Sequence, residues 1–274
     1  MLTAERLLGD RRLLVLTGAG MSTDSGIPDY RGPGAPVRMP MTYQEFIKTP
    51  QAQQRYWARA HIGWSRMRRA EPNAGHRLLA EMEHDGRLEG LITQNVDGLH
   101  GRAGHRRVID LHGRIDRVIC LDCRTLTNRR DLHDRLLELN PGYEQIDAVM
   151  APDGDVLLDD TDTFVVAPCS ACGGRLKPDV VFFGENVPKG RVEECYELVD
   201  QAEALVVLGS SLQVMSGLRF VRAARTRGIP IVIVNRGQTR GDDLATLKLD
   251  AGCAETLAEW CRQEGRHPEA AAFS

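Results

Sequence analysis

Arg12-Leu-Leu-Val-Leu-Thr17 is an apolar run that opens directly into Gly18-Ala-Gly20. A short run of this kind, ended by glycine, reads as a buried strand feeding a tight turn. The pattern returns further along: Ala204-Leu-Val-Val-Leu208 precedes Gly209-Ser-Ser211, and Ile231-Val-Ile-Val234 precedes Asn235-Arg-Gly237. Leu91-Ile-Thr-Gln94 and Val108-Ile-Asp-Leu111 read as further strands that run into Asn95-Val-Asp97 and His112-Gly113. Val180-Val-Phe-Phe183 reads as another.

Helical patterns separate these runs. Residues 51–69 carry Tyr56, Ala60, Trp64 and Met67 on one stripe, and Ala74 to Asp85 follows with Asn73 as cap and Gly86 as stop. Val192, Cys195, Val199 and Ala202 make a third stripe; Gly217 to Arg227 and Ala254 to Gln263 are the last two helices. Strands alternating with helices imply a parallel sheet covered on both faces, with ligands beyond the C-terminal strand ends. Several of the polar turns fall at that edge: Gly18-Ala-Gly20, Gln94-Asn95, His112, Gly209-Ser-Ser211 and Asn235-Arg-Gly237. Residues 21–41, rich in Gly, Pro, Ser and Asp, read as a long ordered loop, which is uncommon unless functional.

The chain of 274 residues is 42% hydrophobic, enough for a sizeable core, and its net charge of −3 gives no general pull toward nucleic acid or an anionic membrane. The patch Arg66, Arg68, Arg69 is short and reads as a solvated helix face. No apolar run reaches the roughly 18 residues of a membrane span. Met1 to Arg12, interrupted by Glu5 and Asp10, is not expected to be a signal peptide. The expectation is a reducing, cytoplasmic setting with no nucleic-acid or membrane partner.

Between Arg114 and Lys177 the character changes. Cys120-Leu-Asp-Cys123 and Cys169-Ser-Ala-Cys172 share one spacing. In a reducing setting that favours a four-thiolate zinc site over disulfides. All four positions are filled by protein, so the ion is structural. Cys195 and Cys261 fit apolar helix stripes; Cys253, just before the last helix, is less settled. Residues 114–177 read as a small zinc-binding module inserted into a larger domain formed by 1–113 and 178–274.

Gly18-Ala-Gly20 after a strand suggests a nucleotide, yet position 23, where the ordinary dehydrogenase fingerprint has its third glycine, is Thr23. A purely structural turn explains those glycines about as well. Among eight histidines, His61, His84, His105, His133 and His267 have charged or polar neighbours and read as surface residues, while His76 near a helix start reads as structural. His100 and His112 both lie near strand ends, and chemistry alone does not separate them. His112 follows an apolar run and precedes Gly113, which would expose it at the sheet edge as a group titrating near neutral pH.

Taken together these residues resemble one family. Gly18 to Arg31, Gly-Ala-Gly-Met-Ser-Thr-Asp-Ser-Gly-Ile-Pro-Asp-Tyr-Arg, resembles the sirtuin cofactor loop. Thr93-Gln-Asn-Val-Asp-Gly-Leu-His100, Leu111-His-Gly113, Lys177-Pro-Asp-Val-Val-Phe-Phe-Gly-Glu185, Gly209-Ser-Ser211 and Asn235-Arg-Gly237 resemble its other motifs, in the family's order. The resemblance implies an α/β, Rossmann-like domain, a small zinc domain and a cleft between them for NAD and an acyl-lysine of a protein. It further implies that the acyl oxygen attacks the nicotinamide ribose, nicotinamide leaves, and His112 assists a ribose hydroxyl onto the acyl carbon. Free lysine, nicotinamide and O-acyl-ADP-ribose result.

By the same resemblance Asn95 and Asp97 act with His112 on ribose and nicotinamide, and Gln94 holds the ribose. Gly18, Ala19, Gly20 and Ser22 line the cofactor, with Asp29, Tyr30 and Arg31 ordered over it. Gly209, Ser210 and Ser211 meet the phosphate side; Asn235, Arg236 and Gly237 meet the adenosine ribose; Cys253 lies near adenine. Val181, Phe182 and Gly184 belong to the substrate segment, with Val181 and Phe182 presenting backbone to the peptide.

Pro152-Asp-Gly-Asp155 and Gly209-Ser-Ser-Leu-Gln-Val214 look like the class II branch, which leaves open deacetylation, removal of longer or branched acyl groups, lipoyl removal or ADP-ribosyl transfer. Tyr56 and Arg59 have the Tyr-x-x-Arg spacing that binds acidic acyl groups in another branch. Counted back from Glu71-Pro-Asn73, however, that motif falls nearer Ala60 and Gly63, so Tyr56 and Arg59 read as ordinary helix residues. Two competing readings remain. A zinc-ribbon nucleic-acid binder lacks its basic stripe here, and a silent NAD sensor would not need Asn95, Asp97 and His112 together.

Overall fold

From the N-terminus, a short helix Ala4–Leu8 (α1) precedes strand Leu13–Thr17 (β1), then helices Tyr43–Lys48 (α2), Pro50–Met67 (α3) and Ala74–His84 (α4). Strand Leu88–Thr93 (β2), helix Leu99–Arg102 (α5) and strand Val108–Asp110 (β3) complete the first half. Gly113–Cys120 (β4), Leu126–Asn128 (β5), Arg129–Leu139 (α6) and Leu176–Val180 (β6) follow. The chain finishes with Lys189–Gln201 (α7), Ala204–Leu208 (β7), Met215–Arg227 (α8), Ile231–Val234 (β8), Leu247–Leu249 (β9) and Cys253–Gln263 (α9). These coordinates come from a computed structural model, which describes residues 3–30, 40–146, 154–156, 158 and 160–263.

Six strands form one parallel sheet in the order β3-β2-β1-β7-β8-β9. Alternation within the apolar runs divides its core into two layers. Leu13, Val15, Val206, Leu208, Val232 and Val234 face one side, packed with Leu78, Leu79, Leu257 and Trp260 of α4 and α9. Leu14, Leu16, Leu205, Val207, Ile231 and Ile233 face the other, against α7 and α8. Both faces are dry, so the strands need no polar alternation. The strand order reverses direction between β1 and β7, which opens a crevice at their C-terminal ends.

Helix ends follow the local sequence. Asn73 accepts the His76 N–H at 3.2 Å while His76 Nδ1 accepts the Asn73 N–H at 3.3 Å, a capping box with histidine in the usual Glu position. Thr49 caps α3, with Pro50 in its first turn.

The three-stranded antiparallel sheet β5-β4-β6 carries the four cysteines at one end. Val118, Leu132, Leu136, Phe164 and Leu176 share a core with Phe46, Tyr56, Trp57 and Ala60 of α2 and α3, which lie outside the 114–177 range. The stripe Tyr56, Ala60, Trp64 and Met67 is buried as its spacing requires. Trp57 donates its Nε1–H to the Leu176 carbonyl at 3.1 Å.

Several expectations are corrected. His61, His105 and His133 are buried, at 0%, 6% and 1% exposure. His61 and His133 stack between α3 and α6 with ring centroids 4.7 Å apart, and His105 joins His100 and His76 under α4. His84 is exposed as expected; His267 lies outside the described residues. The strand expected over 180–183 ends at Val180, because Phe182 turns back on Glu185. Within the loop expected over 21–41 a short 3-10 turn forms at Thr23–Ser25, directly after one at Ala19–Met21, and residues 31–39 lie outside the described residues. Arg31, Pro152 and Asp153 lie outside the described residues.

Candidate active site

The turns after β1 and β7 meet back to back at the crevice. Gly18 donates its N–H to the Leu208 carbonyl at 3.0 Å and Gly20 to the Gly209 carbonyl at 2.9 Å. A Cβ on Gly20 would sit 2.9 Å from the Gly209 Cα, and Gly209 itself has φ +61°. Backbone packing between the two turns therefore accounts for these glycines. The amides of Ala19 and Ser210 are left without a protein acceptor among the described residues.

Beyond β2 the chain presents Gln94, Asn95 and Asp97. Asn95 Nδ2 donates to the Gly18 carbonyl and to Ser22 Oγ, both at 3.0 Å. Ser22 in turn donates to Asp97 Oδ2 at 2.8 Å, and Asp97 Oδ1 accepts the Leu99 N–H at 2.8 Å. Burial raises the Asp97 carboxyl above its usual range; these two hydrogen bonds oppose that. Gln94 Oε1 accepts from Ser210 Oγ at 2.5 Å, which ties the β2 turn to the β7 turn.

His112 stands in the turn between β3 and β4. Gly113 follows with φ +81°, where a side chain would run into the Asp179 backbone. His112 Nδ1 lies 2.8 Å from the Gln94 carbonyl, which can only accept, so Nδ1 carries the proton. Nε2 then offers its lone pair and accepts from Ser216 Oγ at 2.8 Å. Burial pushes the imidazole down to about 4, against the Gln94 hydrogen bond and with the help of Arg191. The near-neutral titration expected from the sequence is thereby corrected: the ring is a neutral base at ordinary pH. Sequence reading missed Ser216 and Arg191, whose Nη1 donates to the Leu111 carbonyl at 3.2 Å. A serine in the first turn of α8 carries no motif, and its role arises from the crossing of α8 over the β3–β4 turn.

Around this centre, Tyr30 meets Phe183 edge-on at 6.3 Å, so the loop after β1 touches the segment after β6. Val181 donates its N–H to the His112 carbonyl at 2.7 Å. Asn235, after β8, folds its side chain onto the Arg236 carbonyl at 2.8 Å, and Arg236 pairs with Glu255 at 3.4 Å. Cys253 packs in the same apolar cluster as Met21, and burial pushes its thiol up to about 12. Asp29 and Ser211 are half-buried, and Gly184 is exposed.

The sulfurs of Cys120, Cys123, Cys169 and Cys172 all lie within 4.8 Å of one another. The Cys120–Cys172 and Cys123–Cys169 separations are 3.6 and 3.8 Å. A tetrahedron with zinc–sulfur bonds of about 2.3 Å has edges of about 3.8 Å, whereas a disulfide needs about 2.05 Å. The four sulfurs could thus hold one zinc ion, and as a closed set they leave no position for a reacting water.

A doubly wound parallel sheet with a polar crevice at its switch point, joined to a four-cysteine module, defines a nucleotide-binding α/β protein with a structural metal centre. Comparison with known proteins narrows this. Residues 18–216 match the model of the Sir2 family. The chain is 56% identical over 257 residues to NAD-dependent protein deacetylase 1 of Mycobacterium avium, covering 92% of this chain and 91% of that one. It is 48% identical over 254 residues to the NAD-dependent protein lipoamidase sirtuin-4, mitochondrial, of Bos taurus, covering 90% and 81%. A solved Sir2–p53 peptide–NAD+ complex superposes with a TM-score of 0.76 at 34% identity, covering 97% of this chain and 99% of that one. The chain belongs to the Sir2 family.

Proposed function

We propose that this chain is an NAD-dependent protein-lysine deacylase that releases nicotinamide, O-acyl-ADP-ribose and free lysine. The observation that carries the reading is His112: a neutral imidazole with its proton locked on Nδ1, bonded to the Gln94 carbonyl that directly precedes Asn95, and its lone pair held at the C-terminal edge of the sheet. The similarity to NAD-dependent protein deacetylases supports the same activity.

The residues present fit the dinucleotide. Unpartnered amides at Ala19 and Ser210 suit phosphate oxygens at the switch point, and Gln94, Asn95, Asp97 and Ser22 offer a donor and acceptor set matched to ribose hydroxyls and a carboxamide. Bound NAD supplies the acyl acceptor, a ribose hydroxyl made available once nicotinamide has left. His112 Nε2 takes that hydroxyl's proton, and the Gln94 carbonyl steadies the imidazolium that results. Ser216, now on Nε2, gives way to the hydroxyl. Asp29 and Tyr30 cover the site and exclude water. Gly209 and Ser211 complete the phosphate side, Asn235, Arg236 and Gly237 hold the adenosine end, and Cys253 borders the adenine.

In the substrate segment, Phe182 has both backbone groups occupied by Glu185. Val181 and Gly184, rather than Phe182, are therefore the residues that offer backbone to an acylated peptide. The large lobe comprises 1–113 and 178–274 and the zinc module 114–177, with α2 and α3 as the module's second wall. The setting is cytoplasmic and reducing, which suits a site built from the thiols of Cys120, Cys123, Cys169 and Cys172. No helix among the described residues is long and apolar enough to cross a membrane.

His112→Ala is expected to cut nicotinamide release with an acetylated peptide by about 10²–10⁴-fold while the circular-dichroism spectrum stays as in the parent. Undiminished turnover in that variant would remove the role. A second reading, lipoyl removal, is favoured by the sirtuin-4 similarity. The residue at 63 is glycine, against which the Gly154 carbonyl packs, so no basic side chain projects there to meet an acidic acyl group. Comparing lipoyl-, acetyl- and succinyl-lysine peptides ranks the acyl groups.

A further inference from the structure

Lys177, at the second position of β6, is a buried lysine whose side chain is 5% exposed. Its Nζ lies 3.0 Å from Glu185 Oε2 and donates to the Val180 carbonyl at 2.5 Å. The Phe182 ring sits beneath the ammonium, 4.9 Å from its centre. Glu185 Oε2 also accepts the Phe182 N–H at 2.9 Å, and the Glu185 N–H donates to the Phe182 carbonyl at 3.0 Å. One ion pair therefore closes the chain from 177 to 185 into a ring of charge-assisted contacts. Burial holds the lysine below its ordinary range, and the Glu185 carboxylate opposes this.

What that ring leaves open is specific. Val180 gives its carbonyl to Lys177, Val181 its N–H to His112, and Phe182 both groups to Glu185. The Phe183 carbonyl accepts from the Tyr43 N–H, and the Gly184 carbonyl from Gln44 Nε2. The Val181 carbonyl and the Gly184 N–H have no protein partner among the described residues. The Val181 carbonyl and the Gly184 N–H, with the Phe183 N–H beside it, thus remain open along a segment whose other named groups are tied down.

We propose that Lys177 and Glu185 are positioning residues for the peptide substrate: their ion pair fixes residues 180–185 so that the Val181 carbonyl and the Gly184 N–H are preset to bond an extended acyl-peptide. This rests on the deacylase reading. The physical basis is preorganisation. A free segment would have to be ordered at each binding event, and the clamp meets that cost during folding. Neither side chain touches the imidazole of His112, and the β4–β6 backbone pairing does not depend on them. The clamp therefore governs peptide affinity rather than chemistry.

The test is steady-state kinetics on full-length, zinc-loaded protein with an acetylated peptide and NAD, using Lys177→Met, Glu185→Gln and Lys177→Arg. The first two are expected to raise the peptide KM about tenfold, the equivalent of roughly 1.4 kcal/mol, with kcat and the NAD KM within about twofold of the parent. Lys177→Arg, which keeps the charge, is expected to recover most of the peptide affinity. An unchanged peptide KM, or peptide and NAD constants that shift together, overturns the proposal. So does a peptide KM that rises with a lowered melting temperature in all three variants, because that describes a structural pair. If Lys177→Met does not fold, Glu185→Gln, which leaves Lys177 on Val180, carries the decision alone. Failure of the deacylase reading looks different: the parent itself would show no NAD-dependent acyl removal.

Discussion

In the six-stranded sheet every residue of β1, β2, β7 and β8 is buried; in the three-stranded sheet β4 alternates between buried and half-buried residues and β5 has none fully buried. The large sheet holds itself together by burial on two faces. Each of its fully buried Leu, Ile and Val side chains contributes roughly 1.5–3 kcal/mol. The small sheet has one core, completed by side chains borrowed from α2 and α3, and its far end is gathered by four thiols. Two halves of one chain thus differ in what they need: one needs hydrophobic area, the other a cross-link.

The largest expected break in this comparison comes from taking the metal away. Structural zinc contributes on the order of 10 kcal/mol to the folding of small modules, far more than the small sheet's core can replace. Metal analysis is expected to find about one zinc per chain. Strong chelation, or Cys123→Ser, is expected to melt β4–β6 and loosen Trp57 while amide protons of β1, β7 and β8 keep their protection from exchange. A chain that holds no metal, or whose small module keeps its protection under chelation, would erase the distinction.

The same contrast explains what could be read from the sequence. β1, β7 and β8 were legible because a strand buried on both faces must be an unbroken apolar run, and glycine or asparagine marks its end. β4 was not recognised as a strand: Arg114, Asp116 and Arg117 break up its apolar positions, because one face meets solvent. The cysteine quartet was legible because thiol pairs at matched spacing have few other uses. His61 and His133 were misread because their neighbours in sequence are polar, yet on a helix those neighbours point elsewhere. The His112 imidazole was placed by resemblance. Its tautomer and its partner Ser216 come from the meeting of β2, α8 and the β3–β4 turn, which no local pattern encodes.

Acid sharpens the comparison with a smaller effect. Where α3 packs on the small module, burial holds His61 down to about 3 and His133 to about 4; beside the large sheet, His76 is held at about 3. The unfolded chain takes up these protons near pH 6.5 and the folded chain does not. Between 6.5 and about 4 the unfolded state therefore binds more protons, and stability falls as pH falls. Melting temperatures are expected to decline steadily across that window. His133→Leu, which removes one such group from between α3 and α6, should lose less of its neutral-pH stability at pH 4.5 than the parent does. Parallel declines in the two would mean that the stacked pair contributes nothing to acid sensitivity.

The smallest contrast lies in the helix caps. Asn128 caps α6 of the zinc module with a single side-chain bond, accepting the Arg130 N–H at 2.7 Å. Asn73 caps α4 of the large lobe and also donates its Nδ2–H to the Met21 carbonyl at 2.9 Å, so it pins α4 to the turn that follows β1. Replacing an N-cap by alanine costs about 0.5–2 kcal/mol. Asn128→Ala is expected near the lower end and Asn73→Ala near the upper, because the second also strands a backbone carbonyl beside the crevice. Urea midpoints of the two zinc-loaded variants measure the difference. Only Asn73→Ala should also weaken NAD binding, since Gly18, Ser22 and Asn95 are bonded together just beyond Met21. Equal loss of NAD affinity in both variants would mean that the caps report on the whole chain rather than on the lobe each one serves.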